Sequence, residues 1–305
     1  KFKKFFFIYN FKNYKKRNNN QKNQLNLIIS KSGNTLETIS NSNILIKKNQ
    51  ANIFITENKD SYLMELANKL KAEVIEHNNF IGGRYSVLSE VGMLPAEIMG
   101  FSTSKFRRLN LLVKNKKFIN ALVSNVSNIL SLINKKKSNS IILNYDENSN
   151  DLFSWYQQLV AESLGKKKSG VLPLVSNMPR DNHSLMQYYL DGSKNHFFTL
   201  FFVKDSFSTR IKKNELLKSN FYLKNKNLND ISFSQFLATE KVFQNKNIPY
   251  RSFIIKKRNE ETLGELFIFF ILETILLGRA MNINPFDQPT VELIKVETKK
   301  FLLNS

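Results

Sequence analysis

At 305 residues the chain is long enough for two domains of about 100 to 200 residues each, and 42% apolar side chains can fill both cores, which excludes a disordered or fibrous protein. With no cysteine and only three histidines, disulfides, thiolate metal sites and a zinc constellation are excluded, and a cytoplasmic protein without a metal is expected. The net charge of +21 is spread thinly among Asn, Ile and Phe, which share A/T-rich codons, so it reads as genomic bias and points to no nucleic-acid partner.

In chain order, residues 5–8 (FFFI) read as a strand, and a Lys/Asn tract follows to residue 24. The opening residue is Lys, so an N-terminus cut or incomplete is expected. Residues 25–38 (LNLIISKSGNTLET) form a buried strand, a hydroxyl-rich turn in which Gly33 supplies free φ, and the start of a helix. A helix N-terminus carries unpaired N–H groups and the positive end of the dipole, so Ser30, Ser32 and Thr35 suit an anion such as a phosphate. They equally suit ordinary N-capping.

A helix is expected over 35–48, a strand over 52–56 (NIFIT), a helix over 61–70 capped by Ser61, and a strand over 72–75. Strands alternating with helices imply a parallel sheet, with ligands beyond the carboxyl ends of its strands. Residues 79–92 (NFIGGRYSVLSEVG) contain a Gly-Gly pair in a chain with only ten glycines. Such a pair lets a ligand approach the backbone while Arg84 offers its guanidinium to negative charge; the competing reading is a tight turn with a structural Arg.

One amphipathic helix is predicted over 106–133, and the basic run 135–139 marks a junction. The β/α pattern restarts with strands at 140–144, 171–175, 197–203 and 250–255, and helices at 151–164, 182–190 and 232–245. Two helices split by Asn284 and Pro285 follow from residue 261. Residues 263–280 are apolar over about 18 positions but carry Glu265 and Glu273, so they read as a core helix and no membrane span is expected. The predicted domains are 1–134, 135–260 and a C-terminal helical segment, 261–305, packing on both.

Four separated stretches together resemble the phosphoglucose isomerase (glucose-6-phosphate isomerase) family of short bacterial type. SKSGNTLET (30–38) resembles its phosphate loop and IGGRYSVLSEVG (81–92) its Gly-Gly-Arg signature. QQLVAESLGK (157–166) with DNHSLMQY (181–188) resembles the catalytic region, and GRAMNINPFDQPTVELIK (278–295) the C-terminal signature. The resemblance implies an α/β fold of two sugar-isomerase (SIS) domains, each a three-layer αβα sandwich with a mainly parallel sheet, plus C-terminal helices. Glu90, Ala280 and Thr290 depart from the family pattern and read as drift. The family's upstream strand and Gly-Gly-Ser loop would precede Lys1.

The resemblance also implies the chemistry: reversible aldose–ketose isomerisation of glucose 6-phosphate and fructose 6-phosphate through ring opening and a cis-enediolate, in glycolysis and gluconeogenesis. Glu162 is then the proton shuttle, His183 and Lys295 assist ring opening, and Arg84 stabilises the enediolate. Ser30, Lys31, Ser32 and Thr35 hold the phosphate, and Gly83, Gln158 and Gln288 complete the substrate contacts. No cofactor is implied; the expected assembly is a homodimer in which His183 serves the neighbouring subunit. Without the resemblance Glu162 reads as a solvated helical Glu, His183 as a helix-start residue and Lys295 as a surface lysine. The alternatives are a non-catalytic SIS-type sugar-phosphate-binding module, an inactive fragment, or a bifunctional glucose/mannose phosphate isomerase.

Overall fold

A computed structural model describes residues 4–11, 24–47, 49–167, 170–204, 208–212, 217–290 and 292–304. The chain falls into two compact units, Lys1–Arg107 and Arg108–Ser305. The first runs β1 (Leu25–Ile29), α1 (Leu36–Leu45), β2 (Ala51–Thr56), α2 (Tyr62–Leu70), β3 (Glu73–Glu76), a 3-10 turn (Gly83–Leu88), α3 (Glu90–Ile98) and α4 (Thr103–Phe106). Its described strands form a parallel sheet in the order β1-β2-β3, with Leu25 opposite Ala51 and Ile53 opposite Glu73. Ile28, Phe54, Leu63 and Ala67 make its core, so the apolar stripe of α2 covers the middle of the sheet.

The second unit runs α5 (Leu109–Leu112), α6 (Lys116–Asn134), β4 (Asn139–Asn144), α7 (Asn150–Leu164), β5 (Leu172–Asn177), α8 (Asp181–Ser184), α9 (Met186–Asp191), β6 (His196–Val203), α10 (Leu228–Asn245), β7 (Tyr250–Ile255), α11 (Glu260–Ala280) and α12 (Glu292–Leu303). Its described strands form a parallel sheet in the order β5-β4-β6-β7. Every residue of β6 is buried, which explains its unbroken apolar run. Phe198, Leu200 and Phe202 pack with Phe236 and Phe243 of α10, whereas Phe201 faces the other way and meets Phe153 of α7, ring centroids 4.8 Å apart.

Several expectations are corrected. Residues 5–8 form no strand, and most of the Lys/Asn tract (12–23) lies outside the described residues. The helix expected over 106–133 is three pieces, because Asn115 accepts the N–H groups of Lys117 and Phe118 and so starts α6 afresh. The helix expected over 182–190 is split into α8 and α9. The division between units comes at residue 107, ahead of the expected 134. Helix α6 belongs to the second unit, because Phe118 meets Phe269 of α11 and Asn125 bonds Glu273. Helix α11 is indeed a core helix: Leu266, Ile268, Phe270 and Leu277 are buried, and Glu273, 1% exposed, is paired with Arg251 and hydrogen-bonded by Tyr156. Among the described residues no helix is long and apolar enough to cross a membrane.

Candidate functional site

The first unit holds a cradle at the carboxyl ends of its strands. Chain leaving β1 turns at Ser30 because the Gly33 N–H donates to the Ser30 carbonyl (3.1 Å) and Gly33 adopts φ +67°. A Cβ on Gly33 would stand 2.2 Å from the Ser61 hydroxyl, so glycine is also required by the approach of the α2 N-terminus. Ser61 caps α2 through the Met64 N–H, but Thr35, at the same position of α1, makes no cap bond. Its hydroxyl lies 2.8 Å from that of Ser30 instead. The N-capping reading therefore fails for Thr35, and the first-turn N–H groups of α1 face no side-chain acceptor from it. Ser32 accepts the Asn34 N–H (3.2 Å), and Asn34 in turn accepts that of Tyr62.

Lys31 is a strut. Its Nζ donates to the carbonyls of Asn79 (2.8 Å) and Ile81 (2.9 Å) and lies 3.5 Å from Glu57. Burial would raise the Glu57 carboxyl, but Lys59 and Lys31 outweigh it and hold the group below the usual carboxylate range. The cradle is thereby tied to the Gly-Gly-Arg turn. Arg84 is 3% exposed, with its guanidinium 5.2 Å from the centre of the Tyr85 ring. Gly92 is fixed by packing, since a Cβ there would collide with the Val87 carbonyl, but a Cβ on Gly83 would meet nothing within 4 Å. Among the described residues no neighbour demands glycine at 83, whereas close approach of a ligand would.

The second unit carries the remaining candidates. Gln158 and Glu162 sit one turn apart on α7 and are joined by an amide-to-carboxylate hydrogen bond of 3.0 Å. Four residues on, Lys166 donates to the carbonyls of Asn284 and Asp287, 2.5 Å each, and pairs with the Asp287 carboxylate. This latch brings the loop after α11, and with it Gln288, to the end of α7 that bears Glu162. Pro285 packs on α11 where Gly278 leaves room: a Cβ at 278 would stand 3.0 Å from Pro285. Lys166 lies within the 157–166 stretch, but a lone Lys in so basic a chain carries no signal of its own.

His183 lies elsewhere. Asp181 fixes the start of α8 by accepting the Asn177 N–H (2.8 Å), the Arg180 Nε–H (2.9 Å) and the Ser184 hydroxyl (3.0 Å). Burial would raise its carboxyl, yet these bonds and the Arg180 charge hold it below the usual range. His183 thus stands exposed just beyond the carboxyl end of β5. The end of α7 adjoins the start of that strand, since a Cβ on Gly170 would touch the Leu164 carbonyl. The six residues of β5 span five steps of about 3.3 Å, roughly 17 Å between its two ends, so Glu162 and His183 of one chain do not meet. Lys295 is exposed on α12, a helix whose Leu293, Ile294 and Phe301 are also exposed.

The family model described as phosphoglucose isomerase matches residues 12–176. A glucose-6-phosphate isomerase of Mycoplasmopsis pulmonis is 34% identical over 294 residues, covering 90% of this chain and 68% of its own length. One from Methanocaldococcus jannaschii is 34% identical over 281 residues, covering 87% and 68%. The chain therefore spans about two thirds of these relatives. A crystal structure of a hypothetical protein from Thermus thermophilus shares the fold, with a TM-score of 0.81 at 24% identity over 90% of this chain and 71% of that one. With a family model over more than half of its length and relatives aligned along nearly all of it, the chain belongs to the phosphoglucose isomerase family.

Proposed function

We propose that this protein interconverts glucose 6-phosphate and fructose 6-phosphate, serving glycolysis and gluconeogenesis as a cytoplasmic homodimer. The observation that carries the reading is the Gln158–Glu162 pair on α7, with the Gln288 loop latched beside it by Lys166, in a chain of this family. A half-buried carboxylate bonded by the Gln158 amide is equipped to take a proton from carbon, and the amide to hold a sugar hydroxyl.

In the open-chain aldose, Glu162 removes the C2 proton and the C–H electron pair forms the C1=C2 double bond. The carbonyl oxygen becomes the enediolate oxygen. Glu162 returns the proton to C1 while the C2 hydroxyl gives up its proton to the C1 oxygen and becomes the ketone, so the carboxylate is regenerated and no atom is lost. Arg84 is the group proposed to oppose the enediolate charge, a type of contact whose loss typically costs on the order of 3 kcal/mol of transition-state stabilisation. Ser30, Ser32 and Thr35, with the N-terminus of α1, hold the phosphate, and Lys31 adds its charge and braces the turn. Remote phosphate binding then helps to place the reacting carbons.

His183 and Lys295 assist ring opening. The separation of His183 from Glu162 along β5 supports a role for this histidine in the site of a second subunit, where its exposed imidazole is available. A coupled assay with glucose-6-phosphate dehydrogenase, fructose 6-phosphate being the substrate of the full-length protein, tests the proposal. Turnover is expected; binding of fructose 6-phosphate without turnover would favour a non-catalytic sugar-phosphate module. Comparable turnover of mannose 6-phosphate would favour the bifunctional enzyme.

A further inference from the structure

His77 is used nowhere in the proposed reaction, yet it is 1% exposed at the carboxyl end of β3 with both ring nitrogens engaged. Nε2 lies 3.1 Å from the Ile81 carbonyl oxygen, and Nδ1 meets the Glu90 carboxylate. A carbonyl only accepts, so Nε2 carries hydrogen, and the Nδ1 contact with Glu90 holds the ring in that orientation. His77 is thus a bracket from the first residue of α3 to the peptide just ahead of Gly82, Gly83 and Arg84. Lys31 grips the same carbonyl from the cradle side. Three segments, the cradle, the end of β3 and the start of α3, therefore meet at one peptide group.

We infer that His77 and Glu90 are positioning residues which set the Gly-Gly-Arg turn, and hence Arg84, against the cradle; the inference rests on the isomerase reading. Glu90 is then no drift. It supplies the hydrogen-bond partner that keeps the imidazole turned so that Nε2–H points at Ile81. The cradle's own bonds, Ser30 N–H to Ile55 and Gly33 N–H to Ser30, are independent of His77, so loss of the bracket should disturb Arg84 and leave phosphate binding intact.

The test uses the full-length protein with Glu90→Ala and Glu90→Gln, reading kcat and KM for fructose 6-phosphate beside the melting temperature. Glu90→Ala is expected to lower kcat about tenfold with KM within about twofold, as small misplacements of a charge-stabilising group do. Glu90→Gln is expected to recover kcat to within about threefold of wild type, because its amide N–H can donate to a bare Nδ1 and keep Nε2–H on Ile81. Wild-type kcat in Glu90→Ala, an equal loss in Glu90→Gln, or a loss that merely tracks the folded fraction overturns the inference while the active wild type upholds the isomerase reading. An inactive wild type overturns both.

Discussion

Lys166 offers the sharpest structural prediction, since one ammonium ties the end of α7 to the loop that carries Gln288. Its side chain is 13% exposed and donates to two carbonyls as well as the Asp287 carboxylate. Hydrogen bonds from a charged donor contribute about 1.5–3 kcal/mol net. Asp287 is 53% exposed, so the ion pair itself adds less than about 1 kcal/mol, and Asn284 and Asp287 can be rehydrated once the lysine is gone. Replacement by Met, which keeps the stem, should weaken the anchor by roughly 2 kcal/mol, or about thirtyfold in the closed-to-open ratio of the loop. The Ile283 N–H to Gly278 bond (2.8 Å) and Pro285 packing remain, so part of the placement survives. Lys166→Met is expected to lower kcat/KM for fructose 6-phosphate about tenfold, and Lys166→Arg to lie between it and wild type. A Lys166→Met enzyme within twofold of wild type would show that the latch does not place Gln288.

Two further predictions concern stability. Glu273→Ala leaves the Arg251 guanidinium, still bonded to Thr199 (2.9 Å), Asn125 (2.8 Å) and Tyr156 (3.3 Å), without its buried counter-charge, and should cost about 3–5 kcal/mol in urea unfolding. The double replacement Glu273→Leu with Arg251→Met should recover most of that, and a single-variant loss below about 1 kcal/mol would contradict the pairing. Asp181 has a folded-state carboxyl depressed by its bonds, so it stabilises the fold above the unfolded value of roughly 4, and this is lost as pH falls through the lower folded value. Asp181→Asn should therefore flatten the acid limb of the stability–pH profile; an unaltered limb would refute the assignment.

Regular elements were the most legible part of the chain. The strand at 250–255 has the predicted bounds, and the unbroken apolar run of β6 announced a strand buried on both faces. Residues 5–8 are as apolar, but a strand needs a partner, and pairing is not a property of four residues. The break before α6 was signalled by Asn115 and overridden by an apolar period that continued across it. In the candidate site, the Gln158–Glu162 pair follows from helical spacing alone. The contact of Lys166 with Asp287 spans 121 positions and has no local signature. The pairing of His77 with Glu90 was equally hidden: Glu90 read as drift from the family pattern, and only the fold shows that it meets His77 beneath the Gly-Gly-Arg turn.

Proton transfer at Glu162 is the centre of the account, and exchange with solvent reads it directly. Full-length protein incubated with glucose 6-phosphate in D2O and followed by proton NMR is expected to lose the C2–H signal as it isomerises, with loss and isomerisation both slowed at least about a hundredfold in Glu162→Gln. Isomerisation by Glu162→Gln at the wild-type rate would contradict the assignment of this carboxylate.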